Sequence, residues 1–158
     1  MQVTFITVGS LKEKYLVDAV AEYHKRLSSY ARVELIELKE VKLSNENNTM
    51  EIANALKEEG AKIIERIPDG AYVVSLCVEG KSIDSLAFAK LVGEAQDRSG
   101  KICFIIGSSY GLADAVKSRS DYKLSLSRLT YPHQLARVML YESVYRSFAI
   151  LNGKRYHK

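Results

Sequence analysis

Five short apolar runs recur along this chain, and the stretches between them carry apolar residues at helical spacing. The runs are VTFITV (Val3 to Val8), VELIEL (Val33 to Leu38), YVVSLCV (Tyr72 to Val78), KICFII (Lys101 to Ile106) and YKLSLS (Tyr122 to Ser127), and each reads as a strand. Leu16, Val20, Tyr23 and Leu27 mark one helical face between the first two, and Ile52, Leu56, Ile63 and Ile67 another before the third. Ser82 or Asp84 can cap a helix bearing Phe88, Leu91, Val92 and Ala95, with Gly100 just beyond it. Five repeats of strand then helix predict an α/β domain: a mostly parallel five-stranded sheet with helices on both faces, since parallel neighbours need crossover connections. At 158 residues the chain is expected to form one domain, residues 1–158. The polar stretch KLSNENNT (Lys42 to Thr49) reads as a mobile surface excursion within it.

In open sheets of this kind ligands sit beyond the carboxyl ends of the strands, so the residues after Val78, Ile106 and Ser127 are where chemistry is expected. GSSYGL (Gly107 to Leu112) places glycines four apart directly after an apolar strand. Such spacing lets the backbone approach a ligand closely, although a turn that merely needs glycine reads the same way. The loop is neither G-x-G-x-x-G nor a segment ending in Gly-Lys-Ser/Thr, which disfavours nicotinamide and nucleoside-triphosphate enzymes. Glu79, Gly80 and Lys81 read as a turn after the third strand. The first strand ends in TVGSLKEKY without a carboxylate, against a phospho-receiver domain, which needs an acidic Mg²⁺ site there. His24, His133 and His157 are scattered, and Cys77 and Cys103 lie inside apolar runs where cysteine acts as a small buried hydrophobe; no metal site is expected.

The most unusual segment is LSLSRLTYPHQLARVMLYESVYRS, Leu124 to Ser147. Thr130 offers a capping hydroxyl and the fixed φ of Pro132 suits a first turn, so a helix is expected from about Pro132. On it Leu135, Val138, Met139 and Phe148 are expected to form one apolar stripe, and Leu140, Val144 and Leu151 a second. Two stripes need two partners: the sheet and a second copy of the chain, or else a domain that envelops the helix by itself. Arg146 follows Glu142 by four residues, the favourable order for a helix-surface ion pair, and Arg137 lies half a turn away from it. Asn152 and Gly153 read as a C-cap, after which Lys154, Arg155, Tyr156 and His157 crowd together.

The formal net charge is +4, but the residues from Arg119 onward hold eight Lys/Arg against Asp121 and Glu142, a surplus of +6. Five of the ten tyrosines lie in the same segment. Basic charge interleaved with flat aromatic faces suits phosphate neutralisation and base stacking; a solvated tail beside core tyrosines accounts for it equally well. The N-terminal MQVTFITVGS turns polar after one strand-length and no apolar run reaches membrane-spanning length, so a cytoplasmic protein is expected.

Taken together, IIGSSYGL, LSLSRLTYPHQLARVMLYESVYRSFAI and the terminal YHK, with VGSLKEKY near the start and EGK after the third strand, closely resemble the RlmH family. Its members are SPOUT-class pseudouridine methyltransferases of large-subunit ribosomal RNA. The resemblance covers essentially the whole chain. It implies a homodimer with a C-terminal trefoil knot, using S-adenosylmethionine to methylate N3 of a pseudouridine in 23S rRNA of the ribosome. It further implies that Leu76, Gly107 and the run Leu126, Ser127, Arg128, Leu129, Thr130 and Tyr131 line the methyl-donor pocket. Tyr156 and His157 become candidates for proton removal or base positioning, and Arg146, Lys154 and Arg155 for gripping RNA phosphates. The family loop usually begins Gly-Gly, and Ser108 stands here in the second place, so either φ there is negative or the backbone is strained. The rival readings are a ribosome-binding module that keeps the fold without catalysis, and a small-molecule enzyme using the same cleft.

Overall fold

The computed structural model describes residues 1–157. Its elements are β1 (Gln2–Val8), α1 (Lys14–Leu27), β2 (Arg32–Leu38), α2 (Thr49–Arg66), β3 (Tyr72–Ser82), α3 (Ser85–Ser99), β4 (Lys101–Ile106), α4 (Asp114–Arg119), β5 (Tyr122–Ser125) and α5 (His133–Leu151). The five strands form one parallel sheet in the order β2-β1-β4-β3-β5.

Both faces of the sheet are covered, and the two-residue period of the strands divides the core between them. Val3 and Phe5 of β1 and Ile102, Phe104 and Ile106 of β4 face a layer made of α1, α3 and α5. Ile6 and Val8, with Cys103 and Ile105, face α2 and α4 through Ile63, Leu112 and Val116. Local signals set several boundaries. The Asn48 side chain accepts from the Met50 and Glu51 amides at the start of α2, Asp84 accepts from Ala87 at the start of α3, and Gly100 ends α3 in the left-handed region at φ 66°.

The segment Lys42 to Thr49 lies at the surface, as expected, where the Glu51 carboxylate accepts from the Ser44 amide and hydroxyl and from the Asn45 amide. Four expectations are corrected. β3 runs on to Ser82 instead of ending at Val78, and β5 stops at Ser125 instead of Ser127. α5 starts at His133 with Pro132 as its cap residue, where a helix is expected, but no side chain, Thr130 included, caps it. Its apolar stripes are also divided differently. Leu140, Val144 and Phe148, spaced by four, are buried with Tyr141 against the sheet and between α1 and α3, whereas Leu135 and Leu151 are exposed. Each of those buried side chains contributes about 1.5–3 kcal/mol, and the chain satisfies the stripe by itself, so the Leu140/Val144 stripe gives no argument for a second copy.

Arg137 is the largest fully buried side chain and lies on that inward side of α5. Its Nη1 donates to Glu37 Oε2 on β2 at 2.9 Å and its Nη2 to the Gly9 carbonyl at 2.8 Å, fastening the start of α5 to the ends of β1 and β2. The ring of Tyr141, one turn on, stacks on Phe5 with centroids 3.8 Å apart.

Candidate functional site

A cleft of about 1100 Å³ opens at the carboxyl ends of β3, β4 and β5. Three segments wall it: Leu76 to Gly80, Ile106 to Leu112, and Ser125 to His133. All eight residues expected to line a methyl-donor pocket, Leu76, Gly107, Leu126, Ser127, Arg128, Leu129, Thr130 and Tyr131, are on those walls.

The first wall exists because β3 is interrupted. Leu124 of β5 faces both Leu76 and Lys81 of β3, so the four residues between them, Cys77 to Gly80, are squeezed out of the ladder. They pass directly over β5: a Cβ on Gly80 would lie 2.6 Å from the Leu124 carbonyl carbon and 2.8 Å from the carbonyl group of Lys123. Only glycine fits there.

The second wall is a tight turn. Gly111, at φ 89°, donates its amide to the Ser108 carbonyl at 2.9 Å, and a Cβ on Gly107 would meet the Gly111 oxygen at 2.1 Å. Glycine is thus required at 107 for space and favoured at 111 for φ. Among the described residues every positive φ belongs to glycine, so Ser108 has negative φ and the turn is unstrained there. Ser108 is buried, and its hydroxyl and the Val41 amide, at 2.9 Å, serve the carboxylate of Glu59 on α2. Burial nevertheless pushes the Glu59 carboxyl up from its ordinary value, aided by Glu40 nearby.

The third wall is shaped by its own serines. Ser125 Oγ donates to the Ser127 carbonyl at 2.9 Å, and the Leu129 amide donates to Ser127 Oγ at 3.0 Å, folding the loop so that Leu129 stands exposed. At the margin Lys117 of α4 meets Glu79 at 2.5 Å, which holds the Glu79 carboxyl below and the Lys117 ammonium above their ordinary values. The walls are mainly apolar, with Leu76, Ile106, Leu112 and Leu126 beside exposed main chain. That combination suits a ligand with a flat heterocycle read by backbone groups and a charged end left near solvent.

The expected catalytic and phosphate-binding groups lie elsewhere on the same chain. Arg146 is paired with Glu142 at 2.6 Å, its guanidinium lies 4.8 Å from the Tyr156 ring centroid, and one of its nitrogens is 3.5 Å from His157 Nδ1. Tyr156 donates to the same Glu142 carboxylate at 3.1 Å and packs edge-on to Tyr145 at 4.8 Å. Burial and the contacts with Tyr23 and Glu142 push its phenol well up. Lys154 and Arg155 are exposed past the end of α5. None of these five lines the cleft.

Two residues that do line it, Lys117 and His133, were not expected there, and Glu79, the partner of Lys117, reads in the sequence only as part of a turn. His133 lacks the paired spacing of a metal ligand, and its one signal was its place directly after Pro132 in the long motif. Among the described residues no helix is long and apolar enough to cross a membrane.

Comparison with known proteins agrees with this geometry. The family model described as "Predicted SPOUT methyltransferase" matches residues 1–157. Two proteins named "Ribosomal RNA large subunit methyltransferase H", from Clostridium acetobutylicum and Listeria monocytogenes, are 47% and 45% identical, each alignment covering 100% of both chains. Among solved structures, a probable methyltransferase from Bordetella pertussis Tohama I superimposes with a TM-score of 0.56 over 92% of this chain and 93% of its own, at 13% identity, which supports the fold alone. A five-stranded parallel sheet with a cleft at its carboxyl edge, matched from residue 1 to residue 157, places this chain in the SPOUT methyltransferase family, alongside ribosomal RNA large subunit methyltransferase H.

Proposed function

We propose that this chain transfers a methyl group from S-adenosylmethionine to N3 of a pseudouridine in 23S rRNA of the assembled ribosome, in the cytoplasm. The observation that carries the reading is the convergence of Gly107, Leu76 and residues 126–131 on one cleft whose second wall has no room for a Cβ at 107. The name of the relatives that match over their whole length supports large-subunit RNA as the substrate.

When bound, the donor supplies an electrophilic methyl on a sulfonium. The chain's own part is to position and to exclude. Leu76, Ile106, Leu112 and Leu126 keep water from the cleft, and the main chain of 107–111 and 126–131 offers donors and acceptors to a heterocycle. Lys154, Arg155 and Arg146 meet RNA phosphates; a surplus of +6 in this segment gives modest affinity for free RNA and favours a folded ribosomal surface.

The crossing of Cys77–Gly80 over β5 supports a knotted C-terminal half, in which α5 returns beneath the sheet after that crossing. Tyr156 and His157, in the tail that folds back along α5 onto Glu142, Tyr145 and Arg146, serve the partner's cleft in a homodimer, where the high phenol of Tyr156 suits holding the base more than removing its proton. Incubation of unmodified ribosomes with the protein and isotope-labelled donor, followed by mass spectrometry of rRNA nucleosides, is the direct test. Label in a methylated pseudouridine is the expected result; its absence, with S-adenosylmethionine binding intact, would leave a binding module.

A further inference from the structure

Methylation at N3 of a pseudouridine requires a proton to leave that nitrogen, and the cleft restricts which side chain can take it. Of the ionisable groups on its walls, Lys117 is a cation whose ammonium is raised by Glu79, and Glu79 is correspondingly a weak base. Arg128 has no acceptor atom. Burial pushes the Cys77 thiol and the Tyr110 phenol up, so both hold their own protons, and Tyr131 offers a phenol hydroxyl. The remaining group is the imidazole of His133, in the first turn of α5 and on the cleft wall beside Tyr131 and Ala136.

Resting on the proposed methyl transfer, we infer that His133 is the proton acceptor for the target base, on the same chain that binds the methyl donor. Its surroundings fit that task. Half-burial keeps the imidazole neutral to lower pH than usual, and Arg137 one turn along α5 and Lys12 in the β1–α1 loop act in the same direction. Glu40, following β2, acts oppositely and is placed to steady an imidazolium once formed. Arg137 cannot move away, because Glu37 and the Gly9 carbonyl hold it. The Lys12 amide lies 3.4 Å from Gln134 Oε1, which keeps the β1–α1 loop against this turn.

The step balances without another reactant. The N3–H bond breaks and its proton goes to the imidazole; the N3 lone pair forms the new N–C bond; the C–S bond of the sulfonium donor breaks and its electron pair stays on sulfur as a neutral thioether. His133 then passes the proton to solvent.

The test compares wild type, His133→Asn and His133→Ala on unmodified ribosomes across pH, with calorimetric binding of S-adenosylhomocysteine and NMR titration of the imidazole in the free protein. For wild type, kcat/KM is expected to rise through an ionisation below 6.5 that coincides with the His133 titration. In His133→Asn that limb disappears and the rate at neutral pH falls by about 10²- to 10⁴-fold, while the product's affinity stays within about twofold; added imidazole restores part of the His133→Ala rate. Retention of the limb in His133→Asn, or loss of product binding in step with the rate, overturns the assignment. Wild-type protein that binds the product yet transfers no label overturns the methyl-transfer reading itself, and the assignment with it.

Discussion

Gly80 lies against the main chain of Leu124 so closely that a Cβ on it would stand 2.6 Å from the Leu124 carbonyl carbon. Two backbones cross there with no side chain between them, and the cleft's first wall depends on that crossing. Because main chain cannot swing aside, Gly80→Ala is expected to cost about 3 kcal/mol or more in urea unfolding. Gly93→Ala is the control: its Cβ would meet only the end of Leu151, at 3.3 Å, and helix propensity favours alanine, so the change should stay within about 1 kcal/mol of wild type. Equal costs for the two variants would refute the close crossing.

The pair Arg137–Glu37 should respond unequally to truncation at its two ends. Arg137 is 1% exposed and Glu37 43%, so water can rehydrate the carboxylate but not the guanidinium. Glu37→Ala, which strands a buried cation, is expected to cost about 3 kcal/mol, whereas Arg137→Met, which leaves an approachable anion and fills the space, should cost about 1–2 kcal/mol. Thermal unfolding of both variants checks the order, and a larger loss in Arg137→Met would contradict it.

Glu59 couples the glycine loop to pH. Its carboxyl is raised in the folded chain, so the fold prefers the protonated form; that preference is fully present below the ordinary value of 4.5 and is lost as pH rises through the raised value. Glu59→Gln should therefore match wild type near pH 4 and exceed it in stability at pH 7, with the Val41 amide still accepted. Denaturant melts at the two pH values decide it; a deficit at pH 7 would show that the charged form is the favoured one.

The two cysteines should differ in reactivity. Cys103 is fully buried with its thiol pushed up to about 12, while Cys77 is half-buried and lines the cleft. Iodoacetamide at mildly alkaline pH is expected to label Cys77 slowly and Cys103 only after unfolding, and saturating S-adenosylhomocysteine should protect Cys77. Peptide mass spectrometry reads the outcome, and unprotected labelling of Cys77 would move the donor out of this cleft.

Neutralising Lys154 and Arg155 together is expected to weaken ribosome binding and to flatten its logarithmic salt dependence by roughly 1–2 in slope, leaving binding of S-adenosylhomocysteine unchanged. Filter binding at several salt concentrations measures the slope, and an unaltered slope would remove the tail from the RNA surface.

Much of this molecule is written in short-range pattern. The strand runs, the Asp84 and Gly100 ends of α3, the glycine turn at 107–111 and the loop 126–131 depend on neighbours a few residues away, so periodicity and turn chemistry expose them. Motif likeness links Leu76, Gly107 and Leu126–Tyr131, and one cleft holds them all.

Other features have causes far away in the chain. The polar EGKS segment looks like the end of a strand, and only its second registration on Leu124 makes it the end of β3. Arg137 has no partner within its own helix pattern, and Glu37, one hundred residues earlier, provides it. Phe148 joins Leu140 and Val144 because α5 settles between α1 and α3, and His133 becomes a cleft residue because that same docking aims the first turn at the sheet edge. Sequence pattern alone determined which segments are strands and helices, because those preferences are local sterics and hydrogen bonding. The tertiary structure decided which of them cross, which charge is buried and which imidazole meets the cleft, because each of those depends on surfaces brought together only when distant elements pack.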